Sequence, residues 1–127
     1  MSLVVDTSVV IDLLRGHDDG RRFLEPSWEP LMISAITVHE VYAGMRLGEE
    51  EMTETMLAGF VSLPFDSEEA RLTGSWWNEY RQQGITLDLR DLAIAAAAVV
   101  RGVPLVTGNA KDFPMPELTL NEWPVGR

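Results

Sequence analysis

Short apolar runs alternate along this chain with longer segments whose apolar residues recur at helical spacing. The runs at residues 3–5, 31–33 and 104–107 are brief, which is typical of buried strands. A short extended piece at 62–65 and an edge strand at 118–120 are also predicted. This alternation of short strands with helices predicts an α/β domain with a mainly parallel sheet.

Helical spacing and capping residues predict five helices. They are expected from Ser8 to a stop at Gly16, from Ser34 and Thr37 onward, at 49–61, from a cap at 66–69 to Gly84, and from a cap at 88–91 to Gly102. The second helix is expected to face the core with an arc of Val38, Val41, Tyr42 and Met45. Residues 92–100 are apolar on every side, so the fifth helix is predicted to be buried all round.

Length and composition restrict the class of protein. The chain has 127 residues, which suits one domain spanning 1–127, and its 46% hydrophobic and 24% charged residues are those of an ordinary globular protein. The absence of cysteine excludes disulfides, thiolate metal sites and cysteine nucleophiles, and it fits a reducing cytoplasm. The run at 92–100 is shorter than the roughly 20 residues of a membrane helix, and the first residues lack a basic signal, so we expect a cytoplasmic protein.

The charge balance argues at first against a nucleic-acid enzyme. The chain has 20 acidic and 10 basic residues, for a net charge of −10. Such a surface repels phosphate backbones over most of its area. Runs such as residues 49–51 are best interpreted as solvated helix faces.

A subset of the acids follows the predicted strands. Asp6 ends the first strand, Glu40 lies in the helix after the second, Asp91 opens the buried helix, and Asn109 and Asp112 follow the strand at 104–107. Ligands of open α/β sheets bind beyond the carboxyl ends of the strands. These polar side chains are therefore expected to meet at one edge.

Each acid also has a purely structural interpretation. Asp6 suits an Asx turn or a helix cap, Glu40 has capping-box spacing from Thr37, and Asp91 has cap spacing from Asp88. Convergence favours the functional interpretation, because carboxylates held together repel one another unless a cation compensates them. Oxygen-only ligands suit Mg²⁺ or Mn²⁺, and the chemistry such a site serves best is phosphodiester hydrolysis.

Four motifs give the chain a family resemblance. They are the stretches 4–8, 34–40, 88–96 and 105–113, followed by Trp123 near the end. In this order and spacing the sequence resembles the PIN-domain ribonucleases, and among them the VapC toxins of type II toxin–antitoxin pairs. The resemblance covers nearly the whole chain and implies a PIN-like three-layer α/β/α fold with a short, mainly parallel sheet.

The resemblance also implies roles for individual residues. Asp6, Glu40 and Asp91 are expected to be catalytic, metal-binding acids that hold Mg²⁺ or Mn²⁺ for water to attack an RNA backbone. Asp112 is the expected fourth acid, with Asn109 as a neutral metal or water ligand. Supporting roles in orienting waters or carboxylates fall to Thr7, Ser8 and Thr107, although Ser8 also suits the N-cap of its helix.

Partners follow from the same resemblance. It implies an RNA substrate, a homodimer, and a VapB-type antitoxin that lays a helix on an apolar groove and inserts an Arg or Lys among the acids. Trp76, Trp77 and Tyr80 are candidates for the groove or dimer surface; alternatively, one Trp is buried and the other partly covered. The candidates for phosphate contacts, or simply for pairing with nearby Glu, are Arg15, Arg21, Arg22 and Arg46.

Three rival functions remain open. A PIN-domain nuclease could process RNA outside a toxin–antitoxin pair, and a silent PIN-like scaffold would only bind a partner. A receiver-like phosphoacceptor module would use Thr107 and Lys111, but the chain lacks a clear phosphoacceptor aspartate. Phosphate-loop, dinucleotide-binding and zinc-protease motifs are absent. On the nuclease interpretation the acidic charge predicts metal dependence, weak RNA binding without metal, and a cationic inhibitor.

Overall fold

A computed structural model describes residues 2–16 and 30–123 of the chain. Within them, five strands form one parallel sheet in the order β3-β2-β1-β4-β5. The strands are β1 (Leu3–Val5), β2 (Leu31–Ser34), β3 (Val61–Leu63), β4 (Leu105–Thr107) and β5 (Leu120–Glu122). The predicted parallel α/β sheet is therefore confirmed.

Five α-helices accompany the sheet in the described residues. They are α1 (Thr7–Leu14), α2 (Ala35–Ala43), α3 (Glu50–Leu57), α4 (Ser67–Gln82) and α5 (Leu89–Arg101), and a single 3₁₀ turn spans Ala110–Asp112. The capping box predicted before α4 is present, with Asp66 and Glu69 satisfying each other's backbone N–H groups. Gly102 ends α5 with a φ of 68°, a left-handed conformation that glycine adopts at low cost. None of these helices is long and apolar enough to cross a membrane.

Two apolar layers lie on opposite faces of the sheet. Because successive side chains of a strand alternate between faces, Val4 packs with α4 and α5, whereas Leu3 and Val5 pack with α1 and α2. Neighbouring strands alternate in the same way, with Leu105 on the first face and Val106 on the second. The result is the predicted three-layer α/β/α arrangement.

The helix α5 has the all-round burial that its composition predicts. Every residue from Leu92 to Ala98 is buried, because the helix packs on the sheet with one side and against α4 with another. Its alanines allow both neighbours to approach closely, since they add little volume. This packing fixes the position of the amino-terminal turn of α5, which carries Asp91.

The buried side of α2 differs from the predicted arc. Thr37 and Val41 are buried, but Tyr42 is 41% exposed, so the assignment of Tyr42 and Met45 to a core-facing arc was wrong. The helix ends at Ala43, before Met45, and it turns the small polar Thr37 inward, within hydrogen-bond distance of Thr7. The buried side of α2 is therefore set by its contact with α1 as well as by its apolar residues.

Two predicted boundaries were also wrong. The predicted helix at 49–61 ends at Leu57, because Val61 pairs with Met32 in the sheet and begins β3. The edge strand forms two residues later than predicted, at Leu120–Glu122, because Leu118 is buried in the core. In both places pairing or burial of distant residues decides the boundary.

The adjacent tryptophans of α4 have different environments. Trp76 is 2% exposed and its indole N–H donates a 2.9 Å hydrogen bond to Glu117 Oε2, and Tyr80 is also buried. Trp77 is 41% exposed, with the Arg81 guanidinium 4.7 Å above its ring. Trp76 and Tyr80 therefore belong to the core, and their assignment to a binding surface was wrong; the alternative of one buried Trp is right.

Candidate active site

The strand order creates a crevice between the ends of β1 and β4. The chain leaves β1 toward β2 on one side and later returns to place β4 on the other side of β1. In parallel sheets such a reversal opens a gap beyond the carboxyl ends of the two strands, where ligands bind. Asp6 directly follows β1, and Gly108 and Asn109 directly follow β4.

Asp6 is held in this crevice by two hydroxyl groups. It is 4% exposed, and its Oδ2 accepts hydrogen bonds from Ser8 Oγ at 2.8 Å and from Thr107 Oγ1 at 2.6 Å. Asp6 occupies the N-cap position of α1, as the cap alternative predicted, but its side chain makes no capping hydrogen bond. Ser8 lies inside the helix, so the alternative that Ser8 is the N-cap was wrong. No described residue donates a hydrogen bond to Oδ1. Every fully buried side-chain oxygen of the described residues has a hydrogen-bond partner, so Oδ1 is not fully buried. Oδ1 is therefore accessible from the crevice.

The loop after β4 orients the two hydroxyl groups. The Gly108 backbone N–H donates to Ser8 Oγ at 3.1 Å, and the Asn109 backbone N–H donates to Thr107 Oγ1 at 2.9 Å. Each hydroxyl oxygen thus accepts a backbone proton and directs its own proton at Asp6. The arrangement presents a fixed carboxylate to the crevice.

Glu40 reaches the same crevice from α2. Its Oε1 accepts a 2.7 Å hydrogen bond from Thr7 Oγ1, which also lies 3.0 Å from the buried Thr37 hydroxyl. The N-cap of α2 is Ser34, whose hydroxyl accepts from the Ile36 backbone N–H, and Glu40 lies beyond the first turn. Glu40 is therefore not part of a capping box.

Asp91 enters the crevice from the first turn of α5. The cap of this helix is Asp88, which accepts the Arg90 backbone N–H at 2.8 Å, so the cap alternative for Asp91 was wrong. Burial raises the pKa of Asp91 to about 7, and the negative charges of Asp112, Asp6, Asp88 and Glu40 add to this rise. Acids from three other segments thus lie within electrostatic range of Asp91.

Asp112 and Asn109 are placed differently with respect to Asp91. Asp112 ends the 3₁₀ turn, is partly buried, and is the largest charge contribution to the raised pKa of Asp91. The Asn109 side chain is exposed, and its backbone N–H is what contacts the site, through Thr107. The structure thus brings the charge of Asp112 within electrostatic range of Asp91.

The donor set fits a hard divalent cation. It consists of carboxylate oxygens held by hydroxyl groups, with an excess of negative charge that the raised pKa of Asp91 reflects. Within residues 2–16 and 30–123, no group of three Asp, Glu or His side chains is arranged so that it could hold a metal ion by itself. Mg²⁺ commonly keeps several waters and binds through one or two carboxylates plus substrate phosphate, so a complete cage is not required.

Of the candidate phosphate-binding arginines, Arg15 is paired through its side chain, and Arg46 has a backbone contact. The Arg15 guanidinium donates to Glu49 Oε2 at 2.7 Å, and the Arg46 backbone N–H donates to the same carboxylate. Arg21 and Arg22 lie outside the described residues. Among the described residues, Arg90 lies beside the acids. Sequence reasoning missed it, although its position between Asp88 and Asp91 was an available signal.

Comparison with known proteins gives this site a family. The family model for the PIN domain matches residues 3–114, which include all of the residues discussed in the crevice. The chain is 35% identical to ribonuclease VapC10 of Mycobacterium tuberculosis over 115 residues, covering 89% of this chain and 86% of the relative. It is 31% identical to ribonuclease VapC of Rickettsia bellii, with 98% of each chain covered.

Solved structures agree with the fold. The VapBC-1 structure from nontypeable Haemophilus influenzae superposes with a TM-score of 0.82 at 25% identity, covering 97% of this chain and 98% of that one. The DNA-bound VapBC structure from Salmonella typhimurium superposes with a TM-score of 0.81 at 26% identity over the same shares. The predicted PIN-like fold is confirmed. The chain therefore belongs to the PIN-domain family and is similar in sequence to the VapC ribonucleases.

Proposed function

We propose that this chain is a Mg²⁺- or Mn²⁺-dependent endoribonuclease that acts as the toxin of a VapBC pair in the cytoplasm. The observation that supports the proposal is the placement of acids at the crevice. Asp6 is held there by Ser8 and Thr107, Glu40 is bonded to Thr7, and Asp112, Asp6 and Glu40 lie within electrostatic range of Asp91. The similarity to proteins named ribonuclease VapC supports RNA as the substrate. We further propose that residues 1–127 form a single PIN domain.

The residues of the site have two proposed roles, holding the cation and orienting the acids that hold it. Asp6, Glu40 and Asp91 would hold the cation, with Asp112 as the fourth acid. Ser8 and Thr107 fix one oxygen of Asp6 so that the other faces the crevice, and Thr7 fixes Glu40 in the same way. Such hydrogen bonds keep acidic ligands in a productive orientation.

The bound cation supplies Lewis-acid chemistry: it lowers the pKa of the attacking water and offsets the charge that develops on the phosphate. The surrounding acids explain why RNA alone binds poorly, since they repel phosphate until their charge is neutralised. The same excess charge favours an inhibitor that carries a guanidinium or an ammonium group. This is the chemistry expected of a VapB-type antitoxin.

An apolar groove beside the site suits the proposed protein partners. It has a volume of about 240 Å³ and is lined by Ala35, Ile36, Phe65, Leu89 and Ala93. Phe65 is 43% exposed and Leu89 is 62% exposed, which is more than an isolated domain of this size needs. The groove therefore supports association with an antitoxin helix or with a second copy, in the proposed homodimer.

The rival functions have less support. A receiver-like module needs further acids beside the one after the first strand, but the following Thr7 is bound to Glu40. A silent scaffold gives no reason for hydroxyl groups that orient two carboxylates toward one crevice. An RNA-processing nuclease outside a toxin–antitoxin pair would use the same site, and it is separated from the toxin by the cellular test below.

Cleavage of RNA by the purified chain tests the nuclease proposal. We expect Mg²⁺ or Mn²⁺ to support cleavage and EDTA to stop it. Asp6→Asn should lower the rate by more than roughly 100-fold while the melting temperature shows an intact fold. Asp66→Asn is the matched control, because asparagine also caps helices well and Asp66 lies outside the crevice. EDTA-resistant cleavage by the Asp6 variant contradicts the mechanism.

Induction in cells tests the toxin proposal separately. We expect the chain alone to arrest growth, the Asp6→Asn variant to be harmless, and co-expression of the short reading frame beside its gene to restore growth. Cleavage in vitro without growth arrest would favour an RNA-processing role instead.

A further inference from the structure

Arg90 is held at the rim of the acidic crevice by a two-point contact. Its Nε donates to Asp88 Oδ1 at 3.0 Å and its Nη2 donates to Asp88 Oδ2 at 2.8 Å. This fork is the geometry in which a guanidinium and a carboxylate are most firmly oriented. Its remaining terminal nitrogen, Nη1, lies 3.7 Å from Glu40 Oε2. The side chain of Arg90 thus bridges from the cap of α5 to an acid of the site.

The fork leaves donors for another partner. A guanidinium has five N–H groups, of which Asp88 uses two. The 3.7 Å contact with Glu40 is an ion pair and too long for a hydrogen bond. The Arg90 side chain is 54% exposed, so part of it is open to solvent beside the crevice.

The charge around the crevice makes this arginine distinctive. The acids of the site repel RNA phosphates, so an approaching strand needs a fixed cation near the point of cleavage. Arg15 is paired with Glu49, which is not one of the proposed site acids, and Arg81 lies over the Trp77 ring. Among the described residues, Arg90 is the arginine whose ion pairs include a proposed site acid.

Resting on the nuclease function proposed above, we infer that Arg90, oriented by Asp88, binds a backbone phosphate of the RNA strand next to the bond that is cut. The three N–H groups that Asp88 does not use, two on Nη1 and one on Nη2, are the donors for phosphate oxygens. Arg90 thus recognises the RNA backbone and carries no base specificity.

Binding and kinetics together test this inference. Binding of a fluorescent mixed-sequence single-stranded RNA is measured in Mg²⁺ at increasing salt, on an Asp6→Asn background that blocks cleavage. Adding Arg90→Ala should weaken binding and make the slope of log K against log salt shallower by about 0.7, the change expected for one lost phosphate contact. In otherwise unchanged protein, Arg90→Ala should raise KM about tenfold and change kcat by less than about threefold.

Two variants separate the phosphate contact from other effects. Arg101→Ala removes an exposed arginine from the other end of α5, about 16 Å away at the rise of an α-helix, and should leave slope and KM unchanged. Arg90→Lys keeps the charge but loses the planar guanidinium. Its salt slope should therefore stay close to that of the unchanged chain, and its KM should lie between those of the unchanged chain and Arg90→Ala.

The outcomes distinguish this inference from the proposed function. Equal salt slopes with and without Arg90, in a chain that cleaves RNA, overturn the phosphate contact alone. A fall in kcat at constant KM also overturns it, because Arg90 would then act through Glu40. If the unchanged chain fails to cleave RNA but the slopes differ, the contact stands and the nuclease proposal fails. If RNA is neither cleaved nor bound, both fail.

Discussion

The Thr107 hydroxyl donates a buried 2.6 Å hydrogen bond to Asp6 Oδ2, joining residues that are 101 positions apart. Thr107 ends β4 and Asp6 follows β1, so the bond crosses the line at which the strand order reverses. It ties together the two walls of the crevice and sets which oxygen of Asp6 is free. The geometry of the site is thus built into the sheet itself.

Replacing Thr107 by valine should therefore weaken the site without removing an acid. Valine has nearly the same shape but no hydroxyl group, so Asp6 loses one of its two orienting bonds and the Asn109 N–H loses its acceptor. We expect cleavage to fall by roughly 10–100-fold and the Mg²⁺ concentration for half-maximal activity to rise. The measurement is the rate of RNA cleavage against metal concentration.

The matched control is Thr107→Ser, which retains the hydroxyl group and should keep most of the activity. If the valine and serine variants behave alike, loss of packing is the cause and the orienting role of the hydroxyl is wrong.

The raised pKa of Asp91 makes the stability of the metal-free protein depend on pH. Burial and the neighbouring acids place this pKa at about 7 in the folded chain, against a usual value of 3.8. Folding therefore favours the protonated carboxyl group of Asp91. The contribution of this group to the stability of the fold is fully present below about pH 4 and is lost as the pH rises through 7. The side chain of the Asp91→Asn variant cannot ionise, so this variant should not lose stability from that position as the pH rises.

Thermal melting in EDTA, followed from about pH 4 to 8, measures the difference between the two proteins. Their melting temperatures should diverge as the pH rises, with Asp91→Asn the more stable at pH 8. Added Mg²⁺ should raise the melting temperature of the unchanged chain more than that of the variant. If the melting temperatures of the two proteins change in parallel over the whole pH range, the pKa of Asp91 is not raised in the folded chain.

Much of the fold follows from local signals. The run at Leu3–Val5 has no polar residue, the capping box at Asp66 uses side chains three residues apart, and Gly102 supplies a left-handed stop. Each signal acts within one element, so it can be recognised without knowing the partners of that element. The sheet edge that gathers the acids then follows from the rule for parallel strands.

Features that depend on distant partners were not predictable. The choice between Trp76 and Trp77 for burial depends on Glu117, a residue 41 positions away. The inward turn of Thr37 depends on Thr7, and the start of β3 depends on pairing with β2. Arg90 escaped notice because its contact with Glu40 joins two helices that the sequence does not align. Local patterns contain no record of such contacts.

The choice of the fourth acid can be tested by paired substitutions. Asp112 has the largest charge effect on Asp91, whereas the Asn109 side chain is exposed. We expect Asp112→Asn to lower cleavage by roughly 10–100-fold and Asn109→Ala to change it by less than about threefold. The measurement is cleavage at saturating and at limiting Mg²⁺.

An independent readout is the pKa of the Asp91 carboxyl group, followed by NMR in metal-free protein. It should fall in Asp112→Asn, because a negative charge is removed, and stay in place in Asn109→Ala. If Asp112→Asn cleaves RNA normally and Asn109→Ala does not, Asn109 and not Asp112 fills the fourth position of the site.

The contact between Trp123 and Asp12 should affect stability rather than catalysis. The Trp123 indole N–H donates a 2.6 Å hydrogen bond to Asp12 Oδ2, and both side chains are buried between α1 and the end of β5. Trp123→Phe keeps an aromatic ring but removes this donor, so we expect the free energy of unfolding to fall by about 1–3 kcal/mol.

Urea denaturation measures this loss, and repeating Trp123→Phe on an Asp12→Asn background isolates the pair. On the Asp12→Asn background, Trp123→Phe should lower the free energy of unfolding by less, because the charged acceptor is already absent. Cleavage per folded molecule should stay within about threefold of the unchanged chain, since neither residue is bonded to Asp6, Glu40 or Asp91 in the described structure. An equal cost on both backgrounds would mean that ring packing, and not the hydrogen bond, secures the end of the sheet.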